Sequence, residues 1–235
     1  MYPVGVDRRR LSRACDELHM RWTERVIAAH KRDLSKRAPD RRGELIARWE
    51  HSRIGDSPEP AVEKALELVE DGNANERELG FYVLMDLALG EPSLCAHVSE
   101  LARNRSARVR GGLAYHLSRS FPLEFQSTVY GTLLRDKAPS VRVQSITRIG
   151  MISFKALLPE LHALRVTERN RKVIQALEYW IPLLEVGFRV DASPTPGMLE
   201  VTALTGNGIA FRSVEATDPR DPKILRAVQE LRSRP

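Results

Sequence analysis

Apolar residues recur along the middle of the chain at the spacing of amphipathic helices. Between residues 60 and 188 they fall three or four positions apart, and no alternating, strand-like run interrupts them. Glycine, asparagine and proline residues stand between the apolar stretches, where helices would end. The pattern therefore predicts a continuous series of helices over this part of the chain.

The helical pattern repeats about every 32 residues. One column of the repeat consists of Phe81, Leu113, Ser145 and Leu177, and a second consists of Met85, Leu117, Ile149 and Ile181. The two columns lie four residues apart in each unit, so they form one stripe of a helix and we expect them to face the core. A further stripe earlier in each unit, which includes Val98 and Tyr130, predicts a second helix. Each unit is thus predicted to be a helical hairpin whose apolar face is buried by stacking on its neighbours.

Two segments of the repeat resemble a known family. They begin at Arg103 (RNRSARVRGGLAYHL) and at Arg135 (RDKAPSVRVQSITRIG), and they are similar to the short HEAT-like repeats of phycobilisome lyases. That family places Asp or Asn in the turn, then Pro, then Val-Arg at the start of the second helix. The chain matches this pattern with Asp136, Pro139, Val141 and Arg142, and in part with Asn104, Val109 and Arg110. The resemblance implies an α-solenoid of about four hairpins over residues 58–188, in which Arg110 and Arg142 bridge to turn acids of neighbouring repeats.

The N-terminal region departs from the repeat. Residues 6–34 and 41–54 each carry an apolar stripe on an otherwise charged segment, with Pro39 and Asp40 between them. We expect residues 1–57 to form basic helices that cap the solenoid. The alternative is a free basic arm that folds on a partner.

The C-terminal region, residues 189–235, predicts a linker, a β-hairpin and a helix. The linker is marked by Asp191, Ser193, Pro194, Pro196 and Gly197. Residues 198–204 and 209–214 are two β-prone runs joined by a turn that contains Asn207-Gly208, a strong hairpin signal. Asp221 and Pro222 open a short helix over 222–233. The predicted fold class is therefore all-α: an α-solenoid with N-terminal capping helices and a small C-terminal β-hairpin plus helix.

Composition narrows the class of protein. With 42% hydrophobic residues, a chain of 235 residues can bury a sizeable core. No apolar run reaches the roughly 18–20 residues of a membrane span, and no secretory h-region follows the arginines at 8–10. Cys15 and Cys95 are too few and too far apart for a disulfide framework or a zinc site. We expect a soluble protein of a reducing compartment such as the cytoplasm, with no membrane partner.

Charge is segmented along the chain. The net charge is +5 over residues 1–57, −8 over 58–102, +10 over 103–172 and −1 over the remainder, for a total of +6. Arginine supplies 30 of the 37 basic residues. The position of the charge is therefore more informative than the total, and it directs attention to residues 103–172.

No catalytic or cofactor-binding arrangement stands out. The six histidines are dispersed, no phosphate-binding glycine-rich loop occurs, and Gly111-Gly112 is best explained by close helix packing. We expect no cofactor and no metal. A DNA glycosylase of HEAT-like fold is a distant alternative, for which only Glu178, Tyr179 and Trp180 resemble the required aromatic and acidic groups.

The candidate binding residues are the basic side chains near the turns and the starts of the second helices: Arg103, Arg105, Arg108, Arg110, Arg142, Arg148, Arg165, Arg169, Arg171 and Lys172. Two hypotheses follow. The first is a non-enzymatic scaffold or adaptor that binds a protein partner, expected to be acidic, through a concave and partly basic face. The second is a nucleic-acid binder that contacts the phosphate backbone. The first is favoured because a solenoid offers an extended, rigid surface and nothing else in the chain supplies chemistry. A base-stacking module would carry aromatic residues among the basic ones, and those in this stretch, such as Tyr115 and Tyr130, are mostly expected in core columns.

Overall fold

The computed structural model describes residues 59–117, 119–205 and 208–233. All of these belong to one compact unit that extends from Pro58 to Pro235. The predicted N-terminal helices, residues 1–57, lie outside the described residues, and so do Cys15 and three of the histidines.

Eight helices follow one another over residues 59–186 of the described chain. They are α1 (Glu59–Asp71), α2 (Ala74–Gly90), α3 (Cys95–Leu101), α4 (Ala107–His116), α5 (Leu123–Leu134), α6 (Pro139–Met151), α7 (Leu158–Thr167) and α8 (Arg171–Val186). Short 3₁₀ turns at Pro92–Leu94 and Lys155–Leu157 precede α3 and α7. The elements agree with the predicted order of paired helices.

The even-numbered helices form a row in which each helix contacts the next. Helix α2 packs on α4, α4 on α6, and α6 on α8, while α1, α5 and α7 pack on α2, α6 and α8. The two columns predicted to face the core are buried, and the most exposed member, Met85, is only 5% accessible. The period of 32 residues therefore predicts correctly which side chains of these helices form the core.

Two glycines allow α4 to approach both neighbours in the row. A Cβ atom at Gly112 would lie 2.3 Å from the Phe81 ring of α2, and one at Gly111 would lie 1.9 Å from the Gln144 amide oxygen of α6. Likewise, a Cβ atom at Gly150 of α6 would lie 2.0 Å from the Trp180 ring of α8. The expectation that Gly111-Gly112 serves close helix packing is confirmed.

Helix α8 ends at Gly187, whose φ of 85° lies in the left-handed region that favours glycine. The chain then enters a three-stranded antiparallel sheet in the order β1 (Phe188–Ala192), β2 (Met198–Thr205) and β3 (Gly208–Glu215). A last helix, α9 (Pro222–Arg232), begins at Asp221, whose side chain accepts a hydrogen bond from the Lys223 backbone N–H at 2.8 Å. The two predicted strands on either side of residues 206–207 pair antiparallel, and the predicted helix is present.

The sheet and α9 share a core of their own. It consists of Val201, Ala203, Val214, Ala216, Ile224, Ala227, Val228 and Leu231, with Phe188, Val190, Leu199 and Ala210 packed against it. The sheet also contacts α8: the Leu204 N–H donates to the Gly187 carbonyl at 2.9 Å, and Arg189 donates to the Glu178 carbonyl at 3.3 Å. The sheet therefore packs between α9 and the end of the helical row.

The predicted fold class, an all-α solenoid, is wrong. The described residues contain nine α-helices and a three-stranded antiparallel sheet, of which β1 is the strand that was missed. The sequence pattern predicts the end of the last helix and a linker at residues 188–192, yet Phe188 and Val190 alternate with polar residues and pack against the core that the sheet shares with α9. The linker is confined to residues 193–197, so the proposed two-stranded ribbon gains the third strand that makes a small sheet stable.

Candidate functional site

A buried ion pair joins the turn before α4 to the turn before α6. Arg110 donates from Nε to Oδ2 of Asp136 and from Nη2 to Oδ1, the latter at 2.9 Å, and both side chains are 6% exposed. Its Nη1 donates to the backbone carbonyls of Asn104 at 2.6 Å and Arg105 at 3.0 Å. One guanidinium thus binds both turns.

The same arrangement recurs 32 residues later. Arg142 donates to the carboxylate of Glu168 at 2.7 and 2.9 Å, and its Nη1 donates to the Asp136 carbonyl at 2.6 Å. The pairing of Arg110 and Arg142 with turn acids, which the resemblance implied, is therefore present. As a result, three turns lie side by side: residues 102–106, 135–138 and 168–170.

The two turn carboxylates titrate below their ordinary range. Burial alone would raise the pKa of Asp136, but hydrogen bonds from Arg110 and from the Ala138 N–H outweigh it, and the pKa is lowered. Glu168 shows the same balance, in which burial is outweighed by Arg142 and two backbone N–H groups. Both acids are therefore ionised and engaged beneath the turns rather than at the surface.

The joined turns and the helix ends beside them carry a set of exposed cations, which we call the basic edge: Arg103, Arg105, Arg108, Arg135, Lys137, Arg169, Arg171 and Lys172. None of these eight forms an ion pair with a residue that the structure describes. The nearby acids Asp136 and Glu168 are already bound by Arg110 and Arg142. Within the described chain, the basic edge therefore carries eight exposed cations that have no ion-pair partner.

The first turn of the row, between α1 and α2, has the opposite character. Glu70 and Asp71 are exposed there, and Glu70 accepts a hydrogen bond from the Asn104 side chain at 2.6 Å. Within the described chain, Arg77 forms no ion pair like those of Arg110 and Arg142. It donates instead to the backbone carbonyls of Val69 and Gly72, at 3.2 and 2.6 Å. The basic edge therefore stops at the second turn.

A second group of residues lies on the solvent-facing side of the row, away from the core. Arg108 and Tyr115 are seven residues apart in α4, so they share a face about 10 Å apart along the helix axis. Gly111 and Gly112, which face α6 and α2, lie on either side of that face. Both Arg108 and Tyr115 are exposed, Tyr115 by 54%.

Tyr115 belongs to an aromatic cluster centred on His116. The imidazole stacks on buried Phe81 with ring centroids 5.0 Å apart, and Tyr82 and Tyr115 meet it edge-on at 4.9 and 5.1 Å. The two tyrosine rings consequently lie within about 10 Å of each other. Burial, with the positive charge of Arg148, lowers the pKa of His116 to about 4, so the imidazole is neutral near pH 7.

Arg148 completes this group, which we call the tyrosine patch: Tyr82, Tyr115 and Arg148 around His116. The Arg148 guanidinium lies over the Tyr115 ring at 5.6 Å from its centroid, a cation–π distance. Its Nε is buried without a hydrogen-bond partner among the described residues. At the far end of the row, the Arg189 guanidinium lies over the ring of Tyr179 in a similar contact, 4.6 Å from its centroid.

The predicted binding residues therefore lie in four different places. Arg103, Arg105, Arg108, Arg169, Arg171 and Lys172 lie on the basic edge, whereas Arg110 and Arg142 lie beneath it in ion pairs. Arg148 lies in the tyrosine patch instead of at a turn, and Arg165 is exposed in the last turn of α7.

The sequence pattern does not single out Arg135, Lys137, Tyr82 and Tyr115 as candidate residues. The two cations stand next to Asp136, which places them in the same turn. Tyr115 lies midway between the core columns at 113 and 117, and Tyr82 follows the column at 81. Since core side chains recur every three or four residues on a helix, these intermediate positions indicate the opposite face.

No family model, curated protein or solved structure matches this chain. The resemblance to HEAT-like repeats therefore stays a prediction. Within the described residues, no group of histidine, cysteine and acidic side chains is arranged to hold a metal ion. Among the described helices, none has the length and apolar character needed to span a bilayer.

Proposed function

We propose that the protein binds nucleic acid through the phosphate backbone, with the basic edge as the contact surface. The observation that supports this proposal is the row of eight exposed cations on three joined turns, with no described acid paired to them. Arginine and lysine are the main donors to phosphate oxygens, and nucleic-acid interfaces are more positive and more polar than protein interfaces.

The dimensions of the basic edge suit a polyanion. Packed helices lie 8–10 Å apart, so three consecutive turns extend over about 20 Å. One strand of a duplex carries a phosphate about every 3.4 Å, so the edge would face on the order of six phosphates. Each guanidinium can donate two parallel hydrogen bonds to one phosphate.

The surroundings of the edge favour nucleic acid over an acidic protein partner. Protein interfaces are organised around buried aromatic or aliphatic anchors. Along the chain, Val166 is the exposed large hydrophobic residue of the described part that adjoins one of the three turns, and the exposed ring of Tyr115 lies about 10 Å from Arg108 along α4. Tyr115, one of the aromatic residues expected in the core, is 54% exposed, so this stretch does offer an aromatic ring on which a base could stack.

Fluorescence anisotropy with a labelled oligothymidine, measured over a salt series, tests the proposal. Counterion release predicts that log K falls linearly with log salt, with a slope of about −4 if the roughly six phosphates of a single strand that face the edge are all contacted. The triple variant Arg108→Glu, Arg169→Glu and Arg171→Glu should weaken binding at least tenfold and make that slope shallower by about 2.

A matched triple variant separates the edge from net charge. Lys155→Glu, Arg220→Glu and Arg226→Glu change the charge equally at exposed positions away from the basic edge. We expect this variant to retain most of the affinity, whereas equal losses in both variants would show that only total charge matters. If oligothymidine fails to bind at low salt while polyglutamate binds through the same three arginines, the partner is an acidic protein and the proposal is wrong.

A further inference from the structure

We propose that the nucleic acid is single-stranded and that its unpaired bases stack on the tyrosine patch while its phosphates lie along the basic edge. This inference rests on the proposed function. It names the form of nucleic acid and the residues that would select it.

The first observation is the exposure of two large rings on one face of the row. Tyr82 is 40% exposed and Tyr115 is 54% exposed, although both stand next to fully buried core positions of the same helices. Their rings lie within about 10 Å of each other, on α2 and α4. Aromatic rings of this kind accept stacked bases with little sequence preference, because every base has a π-face.

The second observation is that both rings are held in place before any ligand binds. Each tyrosine packs edge-on against His116, which in turn stacks on Phe81, a side chain that is 1% exposed. The imidazole is uncharged near pH 7 and therefore acts as an apolar support. A preformed surface loses little conformational freedom on binding, which favours affinity.

The third observation relates the patch to the basic edge. Tyr115 shares the exposed face of α4 with Arg108, about 10 Å away along the helix. The Arg148 guanidinium, over the Tyr115 ring, adds a cation next to the stacking surface. Proteins that bind single strands combine such a positive track for the backbone with aromatic rings for the bases.

The positions of the acidic side chains favour a single strand of nucleic acid over a duplex. Glu78 lies close enough to Tyr82 to raise the pKa of its hydroxyl, after the larger effect of burial, and Glu70 and Asp71 are exposed at the first turn. A duplex keeps its bases paired and would bring a second row of phosphates toward these carboxylates. A single strand has one row of phosphates, and its base amino groups can donate hydrogen bonds to a carboxylate such as that of Glu78.

The experiment compares a labelled oligothymidine of about twelve nucleotides, within the site size of single-strand binders, with a duplex of the same length. Tyr115→Ala and Tyr82→Ala should each weaken binding of the single strand by about 5- to 140-fold. Tyr115→Phe keeps the ring and should stay within about twofold of the original affinity. Phe211→Ala removes another exposed aromatic side chain, 71% accessible on β3, and should have no effect.

The salt dependence distinguishes failure of this inference from failure of the proposed function. Loss of a stacking ring releases no counterions, so the tyrosine variants should keep the original salt slope, whereas the triple arginine reversal should not. If that reversal abolishes binding while both tyrosine variants bind as tightly as the original protein, the edge binds phosphate and the stacking inference is wrong. Equal or tighter binding of the duplex would also overturn it.

If Tyr115→Ala lowers the melting temperature, Tyr115→Leu takes its place. Leucine fills the space without a π-face, so the same loss of binding is expected.

Discussion

Arg110 and Asp136 form a buried two-point ion pair although 26 residues separate them in the chain. The pair joins the turn before α4 to the turn before α6, and the Arg110 guanidinium also binds two carbonyls of its own turn. Asp136 is held in this pair, and it forms no ion pair with Arg135 or Lys137, which are exposed beside it. The same pair that supports the fold therefore leaves the basic edge positive.

Removing one partner of this ion pair should destabilise the protein strongly. Arg110→Ala leaves the Asp136 carboxylate without its main donor, and we expect the free energy of unfolding to fall by about 3–5 kcal/mol. Arg108→Ala, two residues away and exposed, should change it by no more than about 0.5 kcal/mol. Urea denaturation followed by circular dichroism measures both. Equal effects of the two substitutions would mean that the ion pair contributes nothing beyond an ordinary surface contact.

The turn carboxylates should make the protein sensitive to acid. The pKa values of Asp136 and Glu168 are lower in the folded protein than their ordinary values of about 4, so their stabilising effect is complete above that pH. It is lost as the pH falls through the lower folded values, because the unfolded chain then binds protons more readily. The free energy of unfolding, measured by urea denaturation from pH 6 to pH 2, should decline below about pH 4.

The matched variant for this acid dependence is Asp136→Asn with Glu168→Gln. These amides cannot ionise, so the double variant should be less stable at pH 6 and should lose less further stability below about pH 4. A decline as steep as that of the original protein would assign the acid sensitivity to other carboxylates.

The sequence predicts the helical part well because its signal is a period. Core side chains such as Leu117 and Ile149 recur with the helical stripe, and both are fully buried. Strand β1 gives no comparable signal, since only two of its five residues, Phe188 and Val190, pack against the core, and they follow a helix without a break. So short a segment forms a strand because it pairs with β2 and packs on the core next to α9, and its own residues do not reveal these contacts.

Part of the candidate site is also predictable from the 32-residue period. The turn positions of Arg105 and Arg169 follow from the repeat, and the pairing of Arg110 follows from the resemblance. The exposure of Tyr115 does not follow from its residue type, which is typical of both cores and surfaces. Only its position between the core residues Leu113 and Leu117 indicates that it faces solvent.

Adjacent glycines in α4 should respond differently to alanine. A Cβ at Gly112 meets the ring of Phe81, which is buried and stacked on His116, so the ring cannot move aside. A Cβ at Gly111 meets the end of the Gln144 side chain, which is exposed and can rotate away. We expect Gly112→Ala to lower the free energy of unfolding by about 1–3 kcal/mol from overpacking. Gly111→Ala should be neutral or stabilising by up to about 1 kcal/mol, since alanine favours helix.

The two glycine variants control for each other, because both make the same change in the interior of one helix. Urea denaturation measures the difference, and the Tyr82 and His116 ring resonances report whether the aromatic cluster is displaced in Gly112→Ala. If Gly111→Ala were the more destabilising of the two, the packing of α4 against α2 and α6 would differ from the one described.

His116 should give the protein a second, separate pH dependence. Burial and the charge of Arg148 lower its pKa to about 4 in the folded protein, against about 6.5 in the unfolded chain. Between these values the unfolded chain binds a proton that the folded protein does not, so stability should fall as the pH is lowered from about 6.5 to about 4 and then cease to depend on this group. His116→Phe keeps an aromatic ring against Phe81 and cannot be protonated, so this variant should lose that part of the decline while keeping the part below pH 4.

The His116 ring proton should titrate near pH 4 by NMR. A midpoint near 6.5 would mean that the imidazole is open to water, and that the support beneath Tyr82 and Tyr115 is less closely packed than the ring distances show.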